Sequence, residues 1–197
     1  DPTRRRLMKL EATSLVPSSI LARKEVNLAG IHMHSENRAR SRRLFASRIS
    51  LVEIHSGEVH QVHGLPESPI ILNVQWSPNG EFIGVLLEME KKVEVWLVSV
   101  SSYKAKKLNN LPVHAGMNQM LAWTSDSQSF WVKTVPDDLG PVPTIKMGRS
   151  SAVVRETTGE PIPAQTHQGL LRTQFDVDQF EYLFSSRLTN ISLDGSH

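Results

Sequence analysis

The fold is decided by residues 73–108, which read NVQWSPNGEFIGVLLEMEKKVEVWLVSVSSYKAKKL. With the apolar residues just before it, this stretch predicts four short β-strands at residues 70–76, 82–87, 93–100 and 104–108. After the first strand, Pro78 presets a type I turn and Gly80 suits its end. The third strand is apolar almost throughout, which is typical of burial on both faces. The fourth strand is short and basic, so we expect it to be an exposed outer edge.

The same pattern recurs along the chain at a nearly fixed spacing. The sequence WSPN at 76–79 is followed 47 positions later by WTSD at 123–126, and LP at 65–66 is followed 46 positions later by LP at 111–112. A period in the forties is typical of β-propeller blades, which are small antiparallel sheets stacked face to face. Chance similarity among short apolar runs is the alternative. The sequence therefore favours an all-β fold, a partial β-propeller of about three four-stranded blades.

The register of the repeat predicts the domain organisation. Residues 67–112 form the complete blade; residues 1–66 and 113–197 form incomplete blades, interrupted by two long inter-strand insertions at 12–43 and 136–181. The remaining predicted strands are 5–11, 44–54, 58–63, 117–123, 129–135 and 182–193. The first blade lacks its innermost strand and the last lacks its outgoing strand, so we expect a chain that is cut within a blade at both ends. Apolar spacing predicts a short helix within 164–180.

Composition limits the possible functions. The hydrophobic content of 39% permits a core, and the absence of cysteine excludes disulfides and thiolate sites. No apolar run of 18 residues exists, so no transmembrane helix and no membrane partner are predicted. Residues 1–50 hold 11 Lys or Arg against 4 Asp or Glu. This asymmetry is compatible with an acidic partner for the first quarter of the chain.

Four sequence runs resemble one enzyme family. They are GEVHQVHGLPESPIILNVQWSPNGEFIGVLLE (57–88), AWTSDSQSFWVKTVPDDLG (122–140), VVRETTGEPIPAQTHQGLL (153–171) and DQFEYLFSSRLTNISLDG (178–195). Together they resemble the N-terminal β-propeller of prolyl oligopeptidase family serine peptidases, in the branch of chloroplast glutamyl endopeptidase and its bacterial relatives. The resemblance covers nearly the whole chain.

The resemblance implies a two-domain peptidase, in which the propeller restricts the access of peptides to a C-terminal α/β-hydrolase domain. Its chemistry would use a serine nucleophile, a histidine base and an aspartate. This chain has no G-x-S-x-G motif, so the hydrolase domain is absent and no catalytic residue is nominated. The expected partners are that domain of the same polypeptide and peptide substrates. No cofactor is expected, and the compartment would be the plastid in a plant, or the periplasm or exterior of a bacterium.

Other residue clusters have simpler explanations than a site. The histidines lie on separate segments without helpful carboxylates, so surface positions are favoured over a metal site. They are His32, His34, His55, His60 and His63. The basic run Arg38–Arg43 lacks interleaved aromatic residues, which favours a solvated or inter-domain loop over a nucleic-acid site.

Two further groups lead to the same conclusion. Asp137-Asp138 and the pair Asp176 and Asp178 lack the ligand series of a calcium loop, so no metal site is predicted. The tryptophans fall on predicted strands at repeat positions, which favours packing between blades over ligand binding. They are Trp76, Trp96, Trp123 and Trp131.

Two other functions remain open at this stage. A free-standing propeller could present protein partners on its rim, and a basic module centred on Arg38–Arg43 could bind nucleic acid. The first would be encoded with further blades and no hydrolase domain; the second would bind DNA or RNA in a salt-dependent way.

Overall fold

A computed structural model describes residues 1–12, 17–41, 45–117, 121–144 and 169–197. Within these ranges the chain forms antiparallel strands and two short helices. In chain order they are β1 (Arg6–Ala12), α1 (Ser18–Leu21), β2 (Glu25–Leu28), β3 (Ile31–His34), β4 (Ala46–Glu53), β5 (Val59–Gln61), β6 (Ile70–Trp76), β7 (Phe82–Glu88), β8 (Val93–Ser99), β9 (Lys104–Lys107), β10 (Leu121–Trp123), β11 (Ser129–Thr134), α2 (Gln174–Phe184) and β12 (Arg187–Ser192). The predicted all-β class is confirmed.

The paired strands form three stacked groups. The first sheet is β1-β4-β5, the middle sheet is β6-β7-β8-β9 and the third sheet is β10-β11-β12, with antiparallel pairing throughout. A single residue pair, Ala46 with Ile71, joins the first sheet to the middle one. Strands β2 and β3 form a separate hairpin in the segment between β1 and β4. Helix α2 lies in the segment between β11 and β12.

The predicted strand over 182–193 is wrong in its first part. Residues 182–184 are the last turn of α2, and the strand begins only at Arg187. Thr173 caps this helix, because its hydroxyl accepts from the Asp176 amide while the Asp176 carboxylate accepts from the Thr173 amide. The predicted helix within 164–180 is displaced toward the C-terminus, and residues 164–168 of that prediction lie outside the described residues.

The turn that begins at Ser77, directly after Trp76, recurs in the structure. In three turns of the described chain, a side-chain oxygen accepts the amide N–H five residues further on, at 3.0–3.2 Å. The fourth residue of each has a positive φ, of 57° at Arg4, 74° at Gly80 and 61° at Ser127. These turns begin at Asp1, Ser77 and Thr124. Their common geometry is in register with the sequence repeat.

The middle sheet is buried on both faces. One face packs on the first sheet through a cluster that contains Ile83, Val85 and Leu87 of β7. The other face packs on the third sheet through a cluster that contains Val95 of β8 and Phe130 of β11. The predicted burial of β8 on both faces is therefore confirmed.

The outer strand β9 carries a lysine that neutralises a buried carboxylate on β8. The outer edge of β9 is partly covered by His63. The Lys107 ammonium donates to the buried Glu94 carboxylate on β8 at 2.6 Å. Burial raises the pKa of Glu94, but hydrogen bonds from Lys107 and Trp96 outweigh it, so the pKa is lowered overall. His63 pairs with the far edge of β9, because its amide donates to the Tyr103 carbonyl and its carbonyl accepts from the Ala105 amide.

The close approach of the middle and third sheets requires a glycine on β7. A Cβ added at Gly84 would lie 2.9 Å from Leu121 Cδ1 and 3.5 Å from Trp123 Nε1. We expect Gly84→Val to reduce the free energy of unfolding by about 1–3 kcal/mol, since overpacking costs this much, and Gly84→Ala to cost less. Thermal unfolding of the full gene product would measure both. A valine variant as stable as the wild type would contradict this packing.

The outward faces of the first and third sheets carry exposed apolar side chains. Leu7 and Val59 are 58% and 57% exposed on the first sheet, and Trp131 and Leu188 are 42% and 63% exposed on the third. Trp131 lies on the outward face of the third sheet, so its packing between blades is not observed within this chain and stays a prediction. The other three tryptophans are partly buried against the two core clusters.

Candidate functional site

The two segments between paired strands meet at one end of the sheets. The hairpin β2–β3 contributes Leu28 and Met33 to a small apolar cluster, and α2 contributes Leu183. Aromatic residues of α2 add to it, with the rings of Phe180 and Phe184 stacked at 4.4 Å. We call the hairpin, residues 37–41 and α2 the rim cap. It is the candidate functional site because it combines buried charge, cavities and contacts between distant segments.

Residues 37–41 are the buried centre of the rim cap. The Arg40 amide donates to the Ala115 carbonyl at 3.2 Å, and the Ala115 amide donates to the Arg38 carbonyl at 3.1 Å. Arg38, Ala39 and Ser41 are all buried. The solvated alternative for this loop is therefore wrong over 38–41, because its backbone pairs with Ala115 in the segment that precedes the third sheet, whereas the inter-domain alternative stays a prediction. Arg42 and Arg43 lie outside the described residues.

Glu88, at the end of β7, anchors the hairpin side of the rim cap. Its Oε1 accepts from Arg23 Nη1 at 2.5 Å and from Asn37 Nδ2 at 2.9 Å, and His34 Nε2 lies 3.6 Å away. The Asn37 amide also donates to the Met89 carbonyl at 2.9 Å. Glu88 is almost completely buried. A buried carboxylate needs such partners, since an unpaired charge away from water is costly.

A cavity of about 310 Å³ lies beside Glu88. On its polar side, Glu25 holds the His32 ring through Oε1 at 2.7 Å and accepts from the Ser41 hydroxyl at 2.6 Å. The lining residues are Ile20, Leu21, Arg23, Glu25, His34, Arg40, Ser41, Phe45, Leu72 and Glu88. Most charged side chains on this wall are paired with each other. This pairing favours a role in holding the hairpin on the sheets over a role in acid–base catalysis.

Helix α2 is held by two buried basic side chains. The Arg38 guanidinium lies over the Tyr182 ring at 4.9 Å, a cation–π contact. His114 Nε2 lies 2.8 Å from the Leu183 carbonyl oxygen. Burial lowers the pKa of Arg38, and the Tyr182 hydroxyl opposes this shift. Burial also lowers the pKa of His114, although its bond to the Leu183 carbonyl raises it in part.

The histidines singled out in the sequence do not form one cluster. His34 is buried beside Glu88, so its predicted surface position is wrong, whereas His60 stacks on Tyr103 at 4.3 Å on the first sheet. Within the described ranges, no group of three or more metal-ligating side chains is present. His114, which contacts α2, was not singled out by sequence reasoning, because it stands between Val113 and Ala115 with no other histidine or carboxylate near it in the sequence.

The acidic pairs have structural roles. Asp137 and Asp138 accept from the Arg187 guanidinium at the start of β12, and Asp176 belongs to the capping box of α2. Asp178 accepts from the Gln174 side chain at 2.8 Å. Within the part of the chain that the structure describes, no serine hydroxyl is bonded to a histidine ring, and neither helix is long and apolar enough to cross a membrane.

Comparison with known proteins gives relatives over the whole chain. A protein of Oryza sativa subsp. japonica named "Probable glutamyl endopeptidase, chloroplastic" is 27% identical over 210 residues and covers 100% of this chain. This chain is similar to glutamyl endopeptidases. An Arabidopsis thaliana protein of the same name is also 27% identical, over 209 residues. The resemblance predicted from the sequence is confirmed. No protein-family model matches the chain.

The similarity to glutamyl endopeptidases concerns one part of those proteins, since the chain spans 22% of the length of each. Similarity to solved structures is weaker. TolB from Acinetobacter baumannii gives a TM-score of 0.35 at 16% identity, covering 46% of this chain and 21% of that one. A prolyl endopeptidase gives a TM-score of 0.36 at 12% identity, covering 58% and 17%.

Proposed function

We propose that this chain is the non-catalytic propeller portion of a serine peptidase similar to glutamyl endopeptidase, and that it controls the access of peptides to a hydrolase domain of the same polypeptide. The observation that carries the proposal is similarity to glutamyl endopeptidases over the entire chain. In a plant the compartment would be the plastid, as the names of these relatives suggest for them.

The stacking of the three sheets supports the propeller assignment. We assign residues 1–66, 67–112 and 113–197 to an incomplete, a complete and an incomplete blade. Both faces of the middle sheet are covered, while apolar residues are exposed on the outward faces of its neighbours. This is the arrangement expected of an arc of propeller blades, because each blade buries its faces against the next.

The rim cap supports the access role. Its described parts lie in residues 17–41 and 169–184, between β1 and β4 and between β11 and β12, in segments that we interpret as insertions that leave the blades at the same end. They cover the ends of the middle and third sheets and pack on each other through Met33 and Leu183. A layer held at one end of a propeller is positioned to narrow the opening through which peptides would pass.

The alternative, a free-standing interaction propeller, predicts that the full gene encodes a different set of domains. It would encode further blades but no G-x-S-x-G serine followed by an aspartate and a histidine. A nucleic-acid module centred on Arg38–Arg43 is less favoured, because the Arg38 guanidinium is buried under Tyr182 and cannot contact a phosphate backbone there.

A fluorophosphonate probe tests the proposal. We expect the full gene product to be labelled at one serine and the isolated 197-residue chain to remain unlabelled, because the chain has no nucleophile elbow. Mass spectrometry of tryptic peptides would locate the label, with heat-denatured full-length protein as the control. Labelling of a serine within these 197 residues would disprove the non-catalytic role, and an unlabelled full gene product would favour the free-standing propeller.

A further inference from the structure

Two buried basic side chains meet under helix α2 although they lie far apart in the sequence. Arg38 and His114 are 6% and 0% exposed. Among the described residues, neither Arg38 Nη1 nor His114 Nδ1 has a hydrogen-bond partner, although both atoms are buried. Buried polar nitrogens are nearly always bonded, so an unpaired nitrogen on each of two neighbouring basic residues requires an explanation.

The geometry around His114 favours the neutral ring. The Leu183 carbonyl, 2.8 Å from Nε2, can only accept, so Nε2 carries the hydrogen. The Nδ1 atom then holds the lone pair. A second proton would have to bind at Nδ1, which is buried and makes no hydrogen bond to any described residue. Protonation of His114 and docking of α2 are therefore in conflict.

The groups that face His114 make this conflict stronger. In the part of the chain that the structure describes, they are Arg38 from residues 37–41, Lys133 from β11 and, beyond Arg38, Tyr182 from α2. None of the three is a carboxylate that would stabilise an imidazolium. Burial is the main reason that the pKa of His114 is lowered, and the positive charges of Arg38 and Lys133 lower it further. The Leu183 carbonyl and the backbone of His114 itself oppose this shift in part.

We propose that His114 and Arg38 form a proton-sensitive latch, which holds α2 on the sheets when His114 is neutral and releases it on acidification. Opening would free the α2 side of the rim cap while leaving the Glu88 side in place. The consequence for peptide access rests on the proposed function, whereas the docking equilibrium itself does not.

The direction of the effect follows from linkage. An exposed histidine titrates near pH 6.5, and His114 in the docked state titrates below that value. Docking is therefore at full strength above about pH 6.5 and weakens as the pH falls toward the docked pKa. Because one proton is taken up on opening, the opening equilibrium constant should rise by up to about tenfold per pH unit in this range.

Hydrogen–deuterium exchange of the full gene product between pH 7.5 and 5.0 tests the latch. After correction for intrinsic exchange, peptides from Gln174–Phe184 should exchange up to about tenfold faster per pH unit below about pH 6.5, while peptides from Val93–Ser99 should not change. In His114→Gln the amide can still donate to the Leu183 carbonyl but does not titrate. We expect this variant to keep α2 protected and to lose the pH response.

Two further variants complete the test. His34→Gln alters a buried histidine of the Glu88 cluster and should keep the wild-type response of α2. Arg38→Met removes the positive charge that faces His114 and should therefore weaken the pH dependence of exchange in α2. If α2 of His114→Gln is already open at pH 7.5, Arg38→Met becomes the variant that tests the latch. A wild-type pH response in His114→Gln or Arg38→Met, or simultaneous opening of α2 and β8, would overturn the latch. Fluorophosphonate labelling, read separately, distinguishes this outcome from failure of the proposed function.

Discussion

Replacing Glu88 with alanine is expected to release the hairpin side of the rim cap from the sheets. The Arg23 guanidinium and the Asn37 amide would both lose their acceptor on Glu88 Oε1. Breaking a buried ion pair by removing one partner costs about 3–5 kcal/mol, because the remaining charge stays uncompensated. Hydrogen exchange in peptides covering β2 and β3 should therefore increase strongly in the full gene product, with a lower melting temperature.

Matched variants separate the buried pair from a general loss of charge. Glu58→Ala removes a carboxylate that is 65% exposed and lies 3.6 Å from His60, so we expect a change below about 1 kcal/mol. The double variant Arg23→Met/Glu88→Leu removes both charges and should recover much of the lost stability, since buried pairs often exchange for apolar ones at little cost. If exchange in β2 and β3 is unaffected by Glu88→Ala, then Glu88 does not anchor the hairpin.

The sheets could be predicted from the sequence because their signals are local and periodic. The strand predicted at 70–76 matches β6 residue for residue, and the turn that follows it needs a positive φ at Gly80, where the sequence has glycine. The hairpin β2–β3 had a comparable signal in Ala29-Gly30, both of which adopt positive φ as a two-residue hairpin turn requires. The sequence analysis predicts only an insertion at 12–43 there and no hairpin.

The rim cap could not be predicted because its contacts are long-range. Arg38 lies in a basic run, and such runs are usually solvated; its burial depends on Tyr182, which is 144 positions further along the chain. His114 contacts Leu183 across 69 positions. Nothing in the local pattern around either residue specifies such a partner. The start of α2, unlike these contacts, has a local signal. Thr173 and Asp176 have the spacing of a capping pair at a helix N-terminus, which can be recognised in the sequence.

The isolated 197-residue chain is expected to self-associate or to fold only in part. Its two outward sheet faces expose Leu7 and Val59 at one side and Trp131 and Leu188 at the other. Each such side chain would contribute about 1.5–3 kcal/mol if it were buried against a further blade. The sum is comparable with the whole stability of a typical domain, about 5–15 kcal/mol. Light scattering after size-exclusion chromatography, over a range of concentrations, would measure the association.

Charge substitutions on these faces determine whether the sheets themselves cause the association. Trp131→Lys combined with Leu188→Lys should shift the isolated chain toward the monomer, because lysines on an exposed face oppose face-to-face packing. Leu21→Lys is the matched control, since Leu21 is 72% exposed on α1 rather than on a sheet face, and it should leave association unchanged. In the full gene product the relation reverses: the same lysines would be forced between blades and should destabilise it. The opposite outcome would be an isolated wild-type chain that is monomeric and melts in a sharp, reversible transition above about 45 °C. It would contradict the need for neighbouring blades. It would also contradict the assignment of these faces as blade contacts.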